Sequence, residues 1–176
     1  MLLTFVSDDI SDGFYLSSNS IKYSDFSDFS TNDISSIELI RITEISNNTF
    51  NTLDNSWNNL TTVTGLSLQD IGDFVFYNCS SLTQIDLSNI QSIGDYAFYY
   101  CSSLTQLDLF SVTSIGANSF SNCTSLTQLD LTSVTSIGAN VFTKCTSLTK
   151  INIPLLQDIG DSVFYNCELL FPVICR

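Results

Sequence analysis

Ile115-Gly-Ala-Asn-Ser-Phe-Ser-Asn-Cys-Thr-Ser-Leu-Thr-Gln-Leu-Asp-Leu-Thr-Ser-Val-Thr-Ser136 is the clearest copy of a 22-residue phrase repeated between Ile71 and Asn166. Gly72, Gly94, Gly116, Gly138 and Gly160 keep its period, as do Phe76, Phe98, Phe120, Phe142 and Phe164. Cys79, Cys101, Cys123, Cys145 and Cys167 keep it too. A repeat of this length cannot bury its own apolar face without neighbours, so the copies must stack into a solenoid. At 176 residues, 44% of them hydrophobic, the chain is read as one such array.

Working outward, the apolar skeleton extends the array towards the N-terminus. Leu82-Ile85-Leu87-Ile90-Ile93-Phe98 and Ile34-Ile37-Leu39-Ile42-Ile45-Phe50 have the same gaps. A copy at Leu60-Val63-Gly65-Leu68-Ile71-Phe76 lies between them, preceded by about four extra residues near Asp54–Trp57. Ile21-Tyr23-Phe26-Phe29 is read as a still earlier, shortened rung. Residues 1–33 form an N-terminal cap or acidic tail, with Thr4–Val6 expected to pair with Phe14–Leu16. Residues 34–176 form the solenoid, regular from 71.

Within each copy, alternation in Leu-x-x-Leu-x-Leu predicts a short strand: Gln84–Ser88, Gln106–Phe110, Gln128–Thr132 and Lys150–Pro154. Copies run in one direction, so the strands form a parallel sheet. The return path is too short for a long helix. It is expected to turn at the Gly, where positive φ is cheap, and to bury Phe and Cys in about one helical or 3-10 turn.

Leu-x-x-Leu-x-Leu followed by Ile-Gly-x-x-x-Phe-x-x-Cys-x-Ser-Leu, as in Ile93-Gly-Asp-Tyr-Ala-Phe-Tyr-Tyr-Cys-Ser-Ser-Leu104, resembles the BspA-like, or Treponema-type, leucine-rich repeat. The resemblance covers about residues 34–175 and implies a leucine-rich repeat solenoid, α/β horseshoe-like, with a concave parallel β-sheet and short 3-10 or helical turns on the convex side. It also implies adhesion or protein binding at the cell surface or in a secreted form. The family often carries Pro after the strand; here only Pro154 does, against Ser88, Phe110 and Thr132.

The concave face implied by that resemblance would present Gln84, Asp86, Gln106, Asp108, Gln128, Asp130, Lys150 and Asn152, an acidic and amide-rich strip suited to a protein or glycan partner. Carboxylates about 4.8 Å apart repel by about 1 kcal/mol per pair in water, which invites a neutralising partner. The apolar C-terminal stretch Leu169, Leu170, Phe171, Val173 and Ile174 offers an edge for self-association. That edge carries the alternative reading, a structural subunit of a larger assembly such as a surface coat or particle.

Other classes are disfavoured. Eighteen acidic residues against five basic ones, a net charge of −13, oppose nucleic-acid binding. No run is long enough to span a bilayer. Met1–Val6 has no basic flank and is not read as a signal peptide. With no His and no Cys-x-x-Cys pair, neither a metal site, a cofactor nor a catalytic centre is expected. Five equivalent thiols cannot all pair, and stacked Cβ atoms sit too far apart for disulfides, so the Cys row is read as unreactive core. Cys175 stands apart, at a strand Leu position. The rows Thr83, Thr105, Thr127 and Thr149 are expected to bond nearby backbone. Asn47, Asn59, Asn78 and Asn122 begin glycosylation triplets, the last two beside buried Cys.

Overall fold

The computed structural model describes residues 57–64 and 69–170 in full; elsewhere it describes only the backbone of short strands. In chain order these are β1 (Leu2–Val6), β2 (Phe14–Leu16), β3 (Ile21–Tyr23), β4 (Ser36–Ile40) and β5 (Glu44–Ile45). Then come β6 (Thr62–Thr64), β7 (Asp70–Ile71), β8 (Gln84–Ile85), β9 (Ser92–Ile93) and β10 (Ser114–Ile115). The last are β11 (Gln128–Asp130), β12 (Ser136–Ile137), β13 (Lys150–Asn152), β14 (Asp158–Ile159) and β15 (Val173–Ile174). Phe50 and Cys175, singled out in the sequence, lie outside the described residues, as does Asn47.

The chain winds as a parallel solenoid in strict register. Gln128 pairs with Lys150 and Asp130 with Asn152, each one repeat on. Ser36 pairs with Thr62, four residues more than a repeat, which accommodates the insertion near Asp54–Trp57. At the N-terminal end β1 lies parallel to β4, and β2 pairs antiparallel with β1 as expected. β3 does not form an earlier rung: it runs antiparallel to β2, because β1 already occupies the edge beside β4.

The described coils contribute two strands rather than one, except that the coil of Gln106 has a single bridge in place of its first strand. Besides the Gln-x-Asp strands, the residues before each Gly pair in a second parallel sheet, in the order β14-β12-β10-β9-β7-β5. Between the sheets run apolar ladders. Leu82, Leu104, Leu126 and Leu148 are fully buried, as are Phe76, Phe98, Phe120 and Phe142. The Phe rings stack nearly parallel from coil to coil, with centroids 5.2 Å apart for Phe98–Phe120 and 5.8 Å for Phe142–Phe164. Burying such a ring stabilises by about 2–3 kcal/mol, which explains why this row is invariant across the repeats.

The wall that carries the Phe and Cys rows contains no helix among the described residues. Where the sequence suggests a helical or 3-10 turn, each coil makes successive β-turns, such as Tyr99 N to Tyr96 O (3.2 Å) and Cys101 N to Phe98 O (3.1 Å). Alternate N–H groups reach instead to the next coil: Tyr96 to Ala117 O, Phe98 to Ser119 O and Tyr100 to Ser121 O. A helix would spend those donors within its own turn, whereas this arrangement bonds coil to coil on every side.

The turn residues with positive φ are not Gly94, Gly116, Gly138 or Gly160. They are Phe74, Tyr96, Asn118, Asn140 and Ser162, and four residues later Asn78, Tyr100, Asn122, Lys144 and Asn166, with φ between 55° and 64°. Gly is demanded by proximity. A Cβ on Gly116 would lie 2.6 Å from Asp95 N and 2.6 Å from the Gly94 carbonyl carbon, both backbone atoms of the coil before. The corners of neighbouring coils touch there, and only a residue without a side chain fits.

Candidate functional site: the Gln-x-Asp strip

Alternation in the Gln-x-Asp strands turns Ile85, Leu107, Leu129 and Ile151 into the core and leaves their neighbours outside. All eight residues predicted for the strip lie on this face. Gln84, Gln106, Asp108, Gln128, Asp130 and Lys150 are exposed, and Asp86 and Asn152 partly so. They line two adjoining hollows. One, of about 360 Å³, is bordered by Gln106, Asp108, Phe110, Gln128, Asp130, Lys150 and Asn152. The other, of about 620 Å³, is bordered by Thr64, Thr83, Gln84, Asp86, Gln106 and Asp108. Gln106, Leu107 and Asp108 belong to both, so the strip is continuous.

The sheet beneath is not continuous. β4, β6 and β8 belong to one sheet and β11, β13 and β15 to another, while Gln106 makes only a single bridge, to Gln128. The hollows therefore sit where strand pairing is weakest, over Ile85 and Leu107, each 7% exposed.

The carboxylates are not equivalent. Asp86 Oδ1 accepts from Ser88 N (3.1 Å) and Ser88 Oγ (2.8 Å), tying it to the turn that follows its strand. Asp130 Oδ1 accepts from Asn152 Nδ2 at 3.0 Å, so the amide one coil on relieves part of the row's repulsion. Lys150 carries the one basic group that borders the hollows.

Phe110 was not assigned to the strip from sequence. It is 52% exposed at the rim of the smaller hollow, where the other coils place Ser88, Thr132 and Pro154. The one signal was an aromatic at a position otherwise small or Pro. Among the described residues no group of three or more Cys, Asp and Glu is arranged to hold a metal ion.

The other rows explain themselves structurally. Thr83, Thr127 and Thr149 donate their hydroxyls to carbonyls of Thr61, Thr105 and Thr127 at 3.0–3.3 Å, one whole coil back rather than locally. Cys101, Cys123 and Cys145 are fully buried, and burial pushes each thiol well above its ordinary value. Asn122, 7% exposed, is a poor glycan acceptor.

A profile of the BspA-type leucine-rich repeat region matches residues 43–171, in six copies. The chain belongs to the BspA-type leucine-rich repeat family. The solved structure of a T. pallidum leucine-rich repeat protein is 19% identical, with TM-score 0.61 over 96% of this chain and 87% of that one. A leucine-rich cell surface protein of Faecalibacterium prausnitzii A2-165 is 22% identical, with TM-score 0.65 over 97% of this chain and 52% of that one. At these identities the likeness speaks for the fold alone. No curated protein matches the chain. Among the described residues of this BspA-type solenoid, no helix is long and apolar enough to cross a membrane.

The predicted C-terminal edge is described in part. Leu169 is 58% exposed and Leu170 partly buried, β15 contributes Val173 and Ile174 as backbone paired to β13, and Phe171 lies outside the described residues.

Proposed function

We propose that this chain is a non-catalytic binding or adhesion module that presents its concave strip to a protein or glycan partner. The observation that carries this reading is the convergence of Gln106, Asp108, Gln128, Asp130, Lys150 and Asn152 on one hollow with Phe110 at its rim. Carboxylates and amides in that setting hydrogen-bond hydroxyls or backbone amides. An exposed aromatic beside them packs on the apolar face of a sugar or a side chain. Family membership and the cell-surface description of the F. prausnitzii relative support a cell-surface or secreted location.

The test replaces Asp86, Asp108 and Asp130 together by Asn and probes the parent and variant chains against glycan arrays and immobilised surface proteins. Loss of the parent's binding, with the melting temperature kept, is expected. Unchanged binding overturns the reading.

A second reading is a structural subunit of a larger assembly, such as a surface coat or particle, joined through the apolar stretch Leu169, Leu170, Phe171, Val173 and Ile174, of which Leu169 is 58% exposed. Sedimentation of parent and Leu169→Asp chains at high concentration tests it. Monomeric parent protein overturns it.

A further inference from the structure

The wall that carries the Phe and Cys rows has an aromatic cluster on two coils only. Phe74 stacks on Tyr96 (centroids 4.8 Å, interplanar 4°), and Tyr77 stacks on Tyr99 (5.0 Å, 14°). The coil after them places Asn118 and Ser121 at the same positions, so both stacks end at Tyr96 and Tyr99. There the rings meet at an angle. Tyr96 and Tyr99 are tilted by 57° with centroids 5.5 Å apart, and Tyr100 stands edge-on to Tyr99 at 67° and 4.9 Å. Three phenol rings thus form an open corner, with Tyr100 43% exposed.

Two independent observations set this corner apart from core packing. Phe74, Tyr96 and Tyr100 hold φ of 57°, 56° and 61°, a region that bulky side chains avoid and that Asn tolerates. Neighbouring coils use Asn118, Asn122 and Asn140 at those positions, so the aromatic residues are there at a conformational cost the fold does not require. The second observation is charge. Between Arg41 and Lys144 the chain has no basic residue, and Asp73 and Asp95 directly precede Phe74 and Tyr96, each accepting a backbone N–H of the next coil. Burial, then the neighbouring phenols of Tyr77, Tyr100 and Tyr96, raise the Tyr99 hydroxyl above its ordinary value.

We infer that the corner of Tyr96, Tyr99 and Tyr100 is a docking site for a basic peptide segment, one of whose Lys or Arg side chains packs against the ring faces. Ring quadrupoles attract a cation placed over them, and angled aromatic walls are the arrangement that recognises one. The acidic chain draws such a segment in, and the nearest basic residue on that row, Lys144, lies two coils beyond Tyr100. This site lies on a different wall from the Gln-x-Asp strip and does not depend on that strip having a partner.

The test uses the full chain and fluorescein-labelled hexa-arginine in about 0.3 M NaCl, where exposed charges more than about 6 Å apart are screened. The variant Tyr96→Asn, Tyr99→Ser, Tyr100→Asn copies the next coil and relieves the strained φ angles, so it is expected to fold with a urea midpoint no lower than the parent's. Binding is expected to weaken about tenfold in the variant. Ring-proton NMR shifts of the parent on peptide addition should centre on these three tyrosines. Equal affinity of variant and parent, or no binding by the parent, overturns the proposal. So does a response of the Tyr rings to cellohexaose but not to the peptide, which would make the corner a sugar platform.

Discussion

Cys123 Sγ lies 3.2 Å from the carbonyl oxygen of Phe98, one coil back, and donates its proton to it. That carbonyl already accepts Cys101 N–H at 3.1 Å, so the thiol uses its second lone pair. The pattern repeats from Cys101 to Phe76, Cys145 to Phe120 and Cys167 to Phe142, at 2.9–3.1 Å. The row is thus a ladder of weak donors as well as apolar volume, a role Leu or Val at the same position could not supply. Disulfides are absent from the described thiols, which are all free.

This ladder predicts alkaline instability. Burial raises the thiols of Cys79, Cys101, Cys123 and Cys145 above the ordinary value of 9.0 in the folded chain, while the unfolded chain releases its protons near that value. Stability is therefore intact below about pH 9 and falls as pH rises beyond it, by up to about 1.4 kcal/mol per pH unit for each thiol. Urea midpoints measured from pH 8 to 10.5 should show the decline, and Cys123→Ala should flatten it by one thiol's share. The same burial protects the native row from thiol reagents at neutral pH, with half-buried Cys167 the first of the described thiols to react. Rapid labelling of Cys101 or Cys123, or a pH-independent midpoint, would contradict this account.

Much of the solenoid was legible because apolar ladders at a fixed period leave no other way to bury Leu82, Phe98 or Ile93. That the Gln and Asp rows face outward followed from alternation, and their place on a concave face from the resemblance to the BspA-type repeat. The second sheet was hidden because β9 and β10 are two residues long, too short for alternation to register, and Ile-Gly reads as a turn. The role of Gly116 was hidden for a different reason: its constraint comes from a coil 22 residues away, which local φ preferences do not reveal. Positive φ at Tyr96 and Tyr100 runs against residue preference, so no propensity argument would have found it. Phe110 gave only a break in a row of small residues.

Glycine at the corner gives the next prediction. In Gly116→Ala the new methyl would sit 2.6 Å from Asp95 N and from the Gly94 carbonyl carbon, and backbone cannot step aside as a flexible side chain can. Separating two coils there also strains Gly116 N to Ile93 O, now 2.8 Å. A loss of about 3 kcal/mol in urea unfolding is expected. A change under about 0.5 kcal/mol would mean that the corner breathes more than the static contacts imply.

Lys144 predicts a gain. It is exposed, with φ of 61°, at the position where neighbouring coils place Asn122 and Asn166. Asn accepts this backbone region more readily than a long side chain does, so Lys144→Asn should stabilise by about 0.5–1 kcal/mol. The change also removes a positive charge from an acidic chain, so the comparison belongs in about 0.5 M NaCl, where long-range charge effects are screened. A lower melting temperature there would show that the Lys144 stem contributes packing that outweighs its backbone strain.

Ser119 predicts a gain of another kind. It occupies the ladder position held by Ala97 in the coil before and by Val141 in the coil after, and it is completely buried. Its Oγ finds no hydrogen-bond partner there. A buried hydroxyl without a partner costs about 1–3 kcal/mol relative to an apolar group of similar shape, since water satisfied it in the unfolded chain. Ser119→Ala removes the hydroxyl and matches Ala97 one coil away, so it should raise stability by about 1 kcal/mol. Ser119→Val matches Val141 and Val163 instead and adds volume. It should gain more than Ala if the space around Oγ admits a second methyl, and less if the coils are already in contact. Urea unfolding of both variants separates these cases. Destabilisation by Ala would show that the hydroxyl has a partner in solution, such as a trapped water, and that this rung is satisfied after all.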